Sequence, residues 1–252
     1  MKPRVYLTGA GPGDPELLTL KALRVIQAAD VILYDNLVNE TILQFAPAQA
    51  LRIDVGKRCG KRSAAQFEIN RLLVEHAGSG NVVVRLKGGD PMIFGRISEE
   101  VQALEAHSIP YEIIPGVTAA SAAAASLGLS LTKRKIARSV HFLTGHGAED
   151  GLPAHDWVAL TRGGGTLVIY MGRETLAGLA AHFIEAGMAP SMPAIAVENA
   201  SLPSERITRG TLVTLPRALR AVGGNGPTLI ILGEALQNAF TLSATIKMAA
   251  AK

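Results

Sequence analysis

The 252-residue sequence predicts two α/β domains with mainly parallel or mixed sheets and an active-site cleft between them. Three observations carry this expectation. Short β-branched runs alternate with helical patterns through the first half, the rhythm of a parallel sheet covered by helices. Glycine-rich turns follow several of these runs, where the carboxyl ends of parallel strands face a ligand crevice. Pro115-Gly116 and the small-residue run from Thr118 to Ser126 then break the pattern, and the second half is less regular. Reading the break as a boundary gives an N-terminal domain over 1–116, a C-terminal domain over 117–240 and a tail over 241–252.

In chain order, strands are predicted at Val5 to Thr8, Val31 to Tyr34, Leu51 to Val55, Val82 to Leu86 and Tyr111 to Ile114, with helical segments between them. Each run is short, apolar and bounded by polar or glycine-containing turns. The second half adds Val140 to Thr144, Leu167 to Met171, Ala194 to Glu198 and Leu229 to Gly233, with a shorter strand or hairpin element around Glu205 to Leu212. The alanine-rich tail after Thr241 is expected to be a frayed helix or a disordered end without chemistry.

Hydrophobic residues make up 48% of the chain and charged residues 18%, which excludes a disordered protein. No apolar span reaches the roughly 20 residues that cross a bilayer. The run from Val5 to Ala10, broken by Gly11-Pro12-Gly13, is too short for a signal-peptide core. A cytoplasmic protein without membrane association is therefore expected, and the single cysteine, Cys59, fits a reducing compartment. The six histidines lack metal-site spacing, so no metal is expected. The net charge of +4 gathers in two knots, Lys57, Arg58, Lys61 and Arg62, and Lys133, Arg134, Lys135 and Arg138. With aromatics at only 4% and not interleaved among the cations, these suit a small polyanion better than nucleic acid.

The most informative stretch runs from Val82 to Arg96. A buried-type strand leads into Gly88-Gly89, which permits close backbone approach, and then into Asp90, a fixed acceptor, and Pro91, which stiffens the turn. Gly9 to Glu16 also follows a strand, but it differs from a dinucleotide fingerprint. The third glycine is displaced, Pro12 and Pro15 lack amide donors, and Asp14 and Glu16 place negative charge where a pyrophosphate would sit. This loop suits a neutral or cationic ligand, or else simply caps a helix. Asp35, just past the second strand, is a candidate general base or partner of a cation, with a helix-capping role as the alternative. The Val55 to Arg62 loop suits carboxylates, and Gln66 and Asn70 could add a polar face one helical turn apart. In the second half Thr144-Gly145-His146, Tyr170-Met171-Gly172 and Glu198-Asn199-Ala200 each stand where a strand is predicted to end.

Taken together and in this order, these motifs resemble the tetrapyrrole methylases, and among them the uroporphyrinogen-III C-methyltransferases, over nearly the whole chain from about Val5 to Glu234. The resemblance implies a two-domain methyltransferase, usually a homodimer, that uses S-adenosyl-L-methionine and releases S-adenosyl-L-homocysteine. It also implies Pro12, Gly88, Gly89, Asp90, Ile93, Thr118, Ala119, Met171, Ala200 and Thr228 as cofactor contacts, Asp35 as proton acceptor and Lys57 as proton donor. Arg58, Lys61, Arg62 and Arg134 then become counter-charges for the carboxylates of a tetrapyrrole. The expected reaction is two ring methylations of uroporphyrinogen III to precorrin-2, toward sirohaem or cobalamin, with methylation the only activity. Ile97-Ser98, Lys133 and Arg173 depart from the usual pattern at loop edges, where they bear on fine specificity. The rival readings are a later corrin-pathway methylase of the same fold, a nicotinamide-dependent oxidoreductase and an RNA-binding protein.

Overall fold

The computed structural model describes residues 4–56, 62–147 and 151–237, with the backbone alone for 62–65. The chain divides into two compact units, Met1–Ala119 and Ala120–Lys252.

The first unit holds β1 (Val5–Gly9), α1 (Leu20–Gln27), β2 (Val31–Tyr34), α2 (Glu40–Leu43), β3 (Leu51–Asp54), α3 (Arg62–Gly78), β4 (Val83–Lys87), α4 (Ile97–Ala106) and β5 (Tyr111–Ile114). The strands form one sheet in the order β3-β2-β4-β1-β5, with every neighbouring pair parallel. Alternating side chains separate into two cores. Val5, Leu7, Val31, Leu33 and Val83 pack with Ile69 and Leu73 of α3 and Ile97 and Leu104 of α4. Ile32, Val84 and Leu86 pack on the other face with Ile26 of α1 and Ile42 and Leu43 of α2. Burial on both faces is what makes these strands read as continuous apolar runs. Because all five strands run the same way, every loop that leaves one reaches the same edge of the sheet.

The second unit holds α5 (Ala119–Ser126), which begins at the unit boundary, then β6 (Val140–Thr144), α6 (Trp157–Gly163), β7 (Thr166–Tyr170), α7 (Leu176–Glu185), β8 (Pro193–Glu198), β9 (Arg206–Thr211), α8 (Leu215–Val222) and β10 (Thr228–Leu232). Its sheet is mixed, in the order β6-β7-β10-β8-β9. β6 and β7 are parallel, while β10 runs antiparallel to both β7 and β8, and β9 antiparallel to β8. The ends of β6, β7 and β8 and the start of β10 thus share one edge. The short element expected near Glu205 is a full six-residue strand paired along the whole of β8. Its side chains are mostly half-buried and include two arginines and a glycine, so its apolar pattern is weak.

α7 buries Leu176, Leu179, Ala180 and Phe183, the one-face spacing of an amphipathic helix. Phe183 is fully buried and meets Trp157 edge-on with ring centroids 5.0 Å apart. Phe183→Ala is expected to lower unfolding free energy by about 3–5 kcal/mol, measured by urea denaturation, because a void of ring size opens in the core of this unit.

Candidate functional site

The carboxyl edge of the first sheet is organised by aspartates. Asp14, Asp35, Asp54 and Asp90 each accept a hydrogen bond through Oδ1 from the amide two residues on: Glu16 N at 2.9 Å, Leu37 N at 3.1 Å, Gly56 N at 2.9 Å and Met92 N at 2.7 Å. These are Asx turns, and they fix the loops after β1, β2, β3 and β4. Gly-Asp-Pro occurs at 13–15 and again at 89–91, and the two copies use one turn chemistry twice. Asp14 caps a three-residue 3-10 turn, Pro15–Leu17, whereas α1 starts later with Thr19 as its cap. The acids of this loop therefore sit on a tight turn ahead of the helix. Asn39, not Asp35, caps α2.

Asp90 braces two loops, since its Oδ2 also accepts from Gly116 N at 3.1 Å. The loops after β1 and β4 are zipped by Gly89 N–Gly11 O at 2.7 Å and Gly11 N–Gly89 O at 3.2 Å. Three backbones meet here. A Cβ on Gly116 would stand 2.3 Å from Gly89 O, and one on Gly9 2.6 Å from Gly116 N. Gly88 is small because a Cβ there would meet Leu37 Cβ at 2.5 Å. Protein packing therefore accounts for glycine at 9, 88 and 116. Gly89 differs: its φ is +68°, and nothing lies within 4 Å of where its Cβ would be, so open space stands over its backbone. Pro12, Gly88, Gly89, Asp90, Ile93, Thr118 and Ala119 all belong to the loops and helix starts that follow β1, β4 and β5.

Beneath this edge lies a buried group of charges. Arg85 and Lys87 share the β4 face that α4 covers, and Glu100 projects from the buried stripe Ile97, Glu100, Leu104 of α4. Glu100 Oε1 accepts from Lys87 Nζ at 2.8 Å and Arg85 Nε at 3.1 Å, while Glu100 Oε2 has no hydrogen-bond partner among the described residues. Arg85 also donates to Leu86 O at 2.9 Å, and its Nη2 lies 3.5 Å from Asp35 Oδ2. The Asp35 side chain remains 26% exposed and that of Arg85 only 4%, so Asp35 is where this group reaches solvent. Burial and the neighbouring Arg85 cation together hold the Lys87 ammonium below its ordinary pKa, against the pull of Glu100. No role in a site was expected for Arg85 or Glu100. Gln66 and Asn70 bond to each other at 3.0 Å, and Asn70 Nδ2 donates to Glu99 O at 3.1 Å, which ties α3 to α4.

Lys57, Arg58 and Lys61 lie outside the described residues, as does the side chain of Arg62. Arg134 is exposed in the turn closed by Lys133 N–Ala137 O at 2.8 Å. In the second unit Met171, Ala200 and Thr228 stand at the shared edge: just past β7, just past β8 and at the start of β10. Met171 has φ +54° and is 53% exposed, so it is not a core methionine. Among the described residues no cluster of His, Cys, Asp or Glu could hold a metal ion, and no helix is long and apolar enough to cross a membrane.

A family model for the Tetrapyrrole (Corrin/Porphyrin) Methylases matches residues 4–216. The chain belongs to this family. Among curated relatives, it is 48% identical over 239 residues to a siroheme synthase of Chromobacterium violaceum and 47% identical over 233 residues to one of Azotobacter vinelandii. These alignments cover 95% and 92% of this chain but 51% and 50% of the relatives, so the chain spans about half their length. A crystal structure of uroporphyrin-III C-methyl transferase from Thermus thermophilus, complexed with S-adenyl homocysteine, is 43% identical, with TM-score 0.80 over 93% of this chain and 99% of that one. A cobalt precorrin-4 methyltransferase of cobalamin biosynthesis is 30% identical, with TM-score 0.83 over 92% and 95%. The tetrapyrrole methylase fold expected from the motifs is thus the fold observed.

For Lys87 the sign of the linkage is definite. A lysine held low in the folded state binds fewer protons than the unfolded chain between its lowered pKa and the ordinary 10.5, so stability rises with pH through that interval. Relative to Lys87→Met, the wild-type protein is expected to gain denaturant midpoint as pH rises from about 8 to about 10, read from parallel urea titrations.

Proposed function

We propose that the chain is an S-adenosyl-L-methionine-dependent C-methyltransferase that converts uroporphyrinogen III to precorrin-2 by two successive ring methylations. The observation that carries this reading is the 43% identity to the Thermus thermophilus uroporphyrin-III C-methyl transferase, which extends over 99% of that chain. The residues of the first loop suit the cofactor. Pro12 and Pro15 withhold amide donors and Asp14 and Glu16 add negative charge, a setting hostile to a pyrophosphate and compatible with a sulfonium. The open space over Gly89 leaves backbone accessible to a ligand. The nicotinamide reading loses its support at the same place.

When bound, the cofactor supplies an activated methyl group. Its contacts in this reading are Pro12, Gly88, Gly89, Asp90, Ile93, Thr118 and Ala119 from the first unit, and Met171, Ala200 and Thr228 from the second. Asp90 acts as the brace of two loops, which leaves the acid–base work to other residues. A pyrrole carbon that gains a methyl becomes part of a cationic ring and must lose a proton. In this reading Asp35 accepts it, a role supported by a carboxylate with one oxygen fixed by Leu37 N, the other facing Arg85, and access to solvent. Lys57 is its partner as proton donor, and Arg58, Lys61, Arg62 and Arg134 are counter-charges for the substrate's carboxylates. The reading includes a cytoplasmic homodimer.

Anaerobic incubation with uroporphyrinogen III and S-adenosylmethionine is expected to yield a product heavier by two methyl groups. A product without added methyls would favour the corrin-pathway alternative. Asp35→Asn keeps the shape but not the base, and kcat is expected to fall by about 10²-fold or more with little change in cofactor affinity, measured by single-turnover product formation and calorimetry.

A further inference from the structure

The geometry points to Arg173 as a positioning residue that sets the Thr228 hydroxyl as a pure hydrogen-bond acceptor for the cofactor. This inference rests on the reading of the chain as an S-adenosylmethionine enzyme. Arg173 follows Gly172 in the loop after β7, and its side chain is 15% exposed. Nη1 donates to Thr228 Oγ1 at 3.0 Å and Nη2 to Gly223 O at 2.5 Å, while Nη1 lies 3.5 Å from Glu198 Oε2. One guanidinium therefore holds the entry loop of β10, the first residue of β10 and the last residue of β8.

The carboxylate it faces is itself committed. Glu198 Oε1 accepts from Gly226 N at 2.7 Å, and Oε2 accepts from Arg206 Nε at 3.0 Å and Nη2 at 2.5 Å. Burial pushes the Glu198 carboxyl up, but the Gly226 amide, the hydrogen bonds from Arg206 and the two arginine charges outweigh it and leave the group below its usual value. The glycines of the loop are shaped around these groups. A Cβ on Gly224 would lie 2.5 Å from Glu198 Oε1, and one on Gly226 would lie 2.2 Å from Asn199 Oδ1. Asn199 N donates to Pro227 O at 2.9 Å, which carries the same restraint to the neighbour of Ala200.

A threonine hydroxyl has one proton and two lone pairs. The proton of Thr228 goes to Gly226 O at 3.0 Å, and Arg173 fills one lone pair. The remaining lone pair receives only a donor, an O–H or N–H of the cofactor. With an apolar side chain at 173 the hydroxyl would keep Gly226 O but lose its donor, and the loop from Gly223 to Pro227 would lose a cationic anchor. Arg173 acts through Thr228 and has no contact with reacting atoms in this scheme, so its effect falls on binding.

The test is calorimetric binding of S-adenosylhomocysteine, with steady-state kinetics, on wild type, Arg173→Met, Thr228→Val, Thr228→Ser and the double variant Arg173→Met/Thr228→Val. Arg173→Met and Thr228→Val are each expected to weaken binding about tenfold and to raise the cofactor KM with kcat nearly unchanged. The double variant is expected to be no weaker than the worse single one, and Thr228→Ser to bind like wild type. Should Arg173→Met not fold, Thr228→Val decides alone, and wild-type affinity in that variant overturns the inference. Additive losses in the double variant overturn it too. A wild-type protein that does not bind S-adenosylhomocysteine sinks the underlying functional reading instead.

Discussion

The first unit depends on Glu100. This carboxylate is fully buried on an otherwise apolar helix stripe and neutralises two cations that β4 directs to the same face. An ion pair under a helix is a poor source of stability, because desolvating each charge costs several kcal/mol that the pairing only partly returns. Removing one partner is far worse, since it strands the others. What the arrangement provides is position. β4 and α4 are held in register by charge as well as by packing, and the guanidinium of Arg85 is delivered to the point where β2 ends at Asp35. A hydrophobic replacement would close the core but leave nothing to face the Asp35 carboxylate.

The second unit meets a similar demand with another buried carboxylate. Glu198 ties strand ends and an entry loop together through two arginines and one amide. In both units a buried acid therefore organises the edge from which the candidate residues project. In the first it supports the Asp35 carboxylate through Arg85, and in the second the Thr228 hydroxyl through Arg173. The basic surplus of the chain is partly internal for this reason, and is not wholly available to an anionic substrate.

The inner strands of the first sheet, β2, β4 and β1, were readable from their apolar runs because parallel strands buried on both faces leave little ambiguity. β9 was harder, since a strand carrying Arg206, Arg209 and Gly210 is only half-buried and lacks a clear alternation. A strand over Leu229 to Gly233 was legible, but the antiparallel direction of β10 leaves no mark in composition, so nothing in the residues put Thr228 at the same edge as the ends of β7 and β8. The glycine loops were legible as places of close approach, but not what approaches: at 9, 88 and 116 it is other protein backbone or Leu37. The charge group beneath Asp35 does leave a signal in the sequence. Arg85 and Lys87 at alternate positions of an apolar strand must meet a buried partner, and Glu100 at helical spacing between Ile97 and Leu104 is the residue able to supply it.

The contact of Gly9, Gly89 and Gly116 has a mechanical consequence. Three loops from three adjacent strands touch through backbone, with no side chain between them to change rotamer and absorb a displacement. Asp90 adds a bond from one loop to another. Slack is therefore absent where these loops join, and displacing one requires displacing all three. The three loops are therefore coupled through their backbones, so a substitution that shifts one is transmitted to the other two.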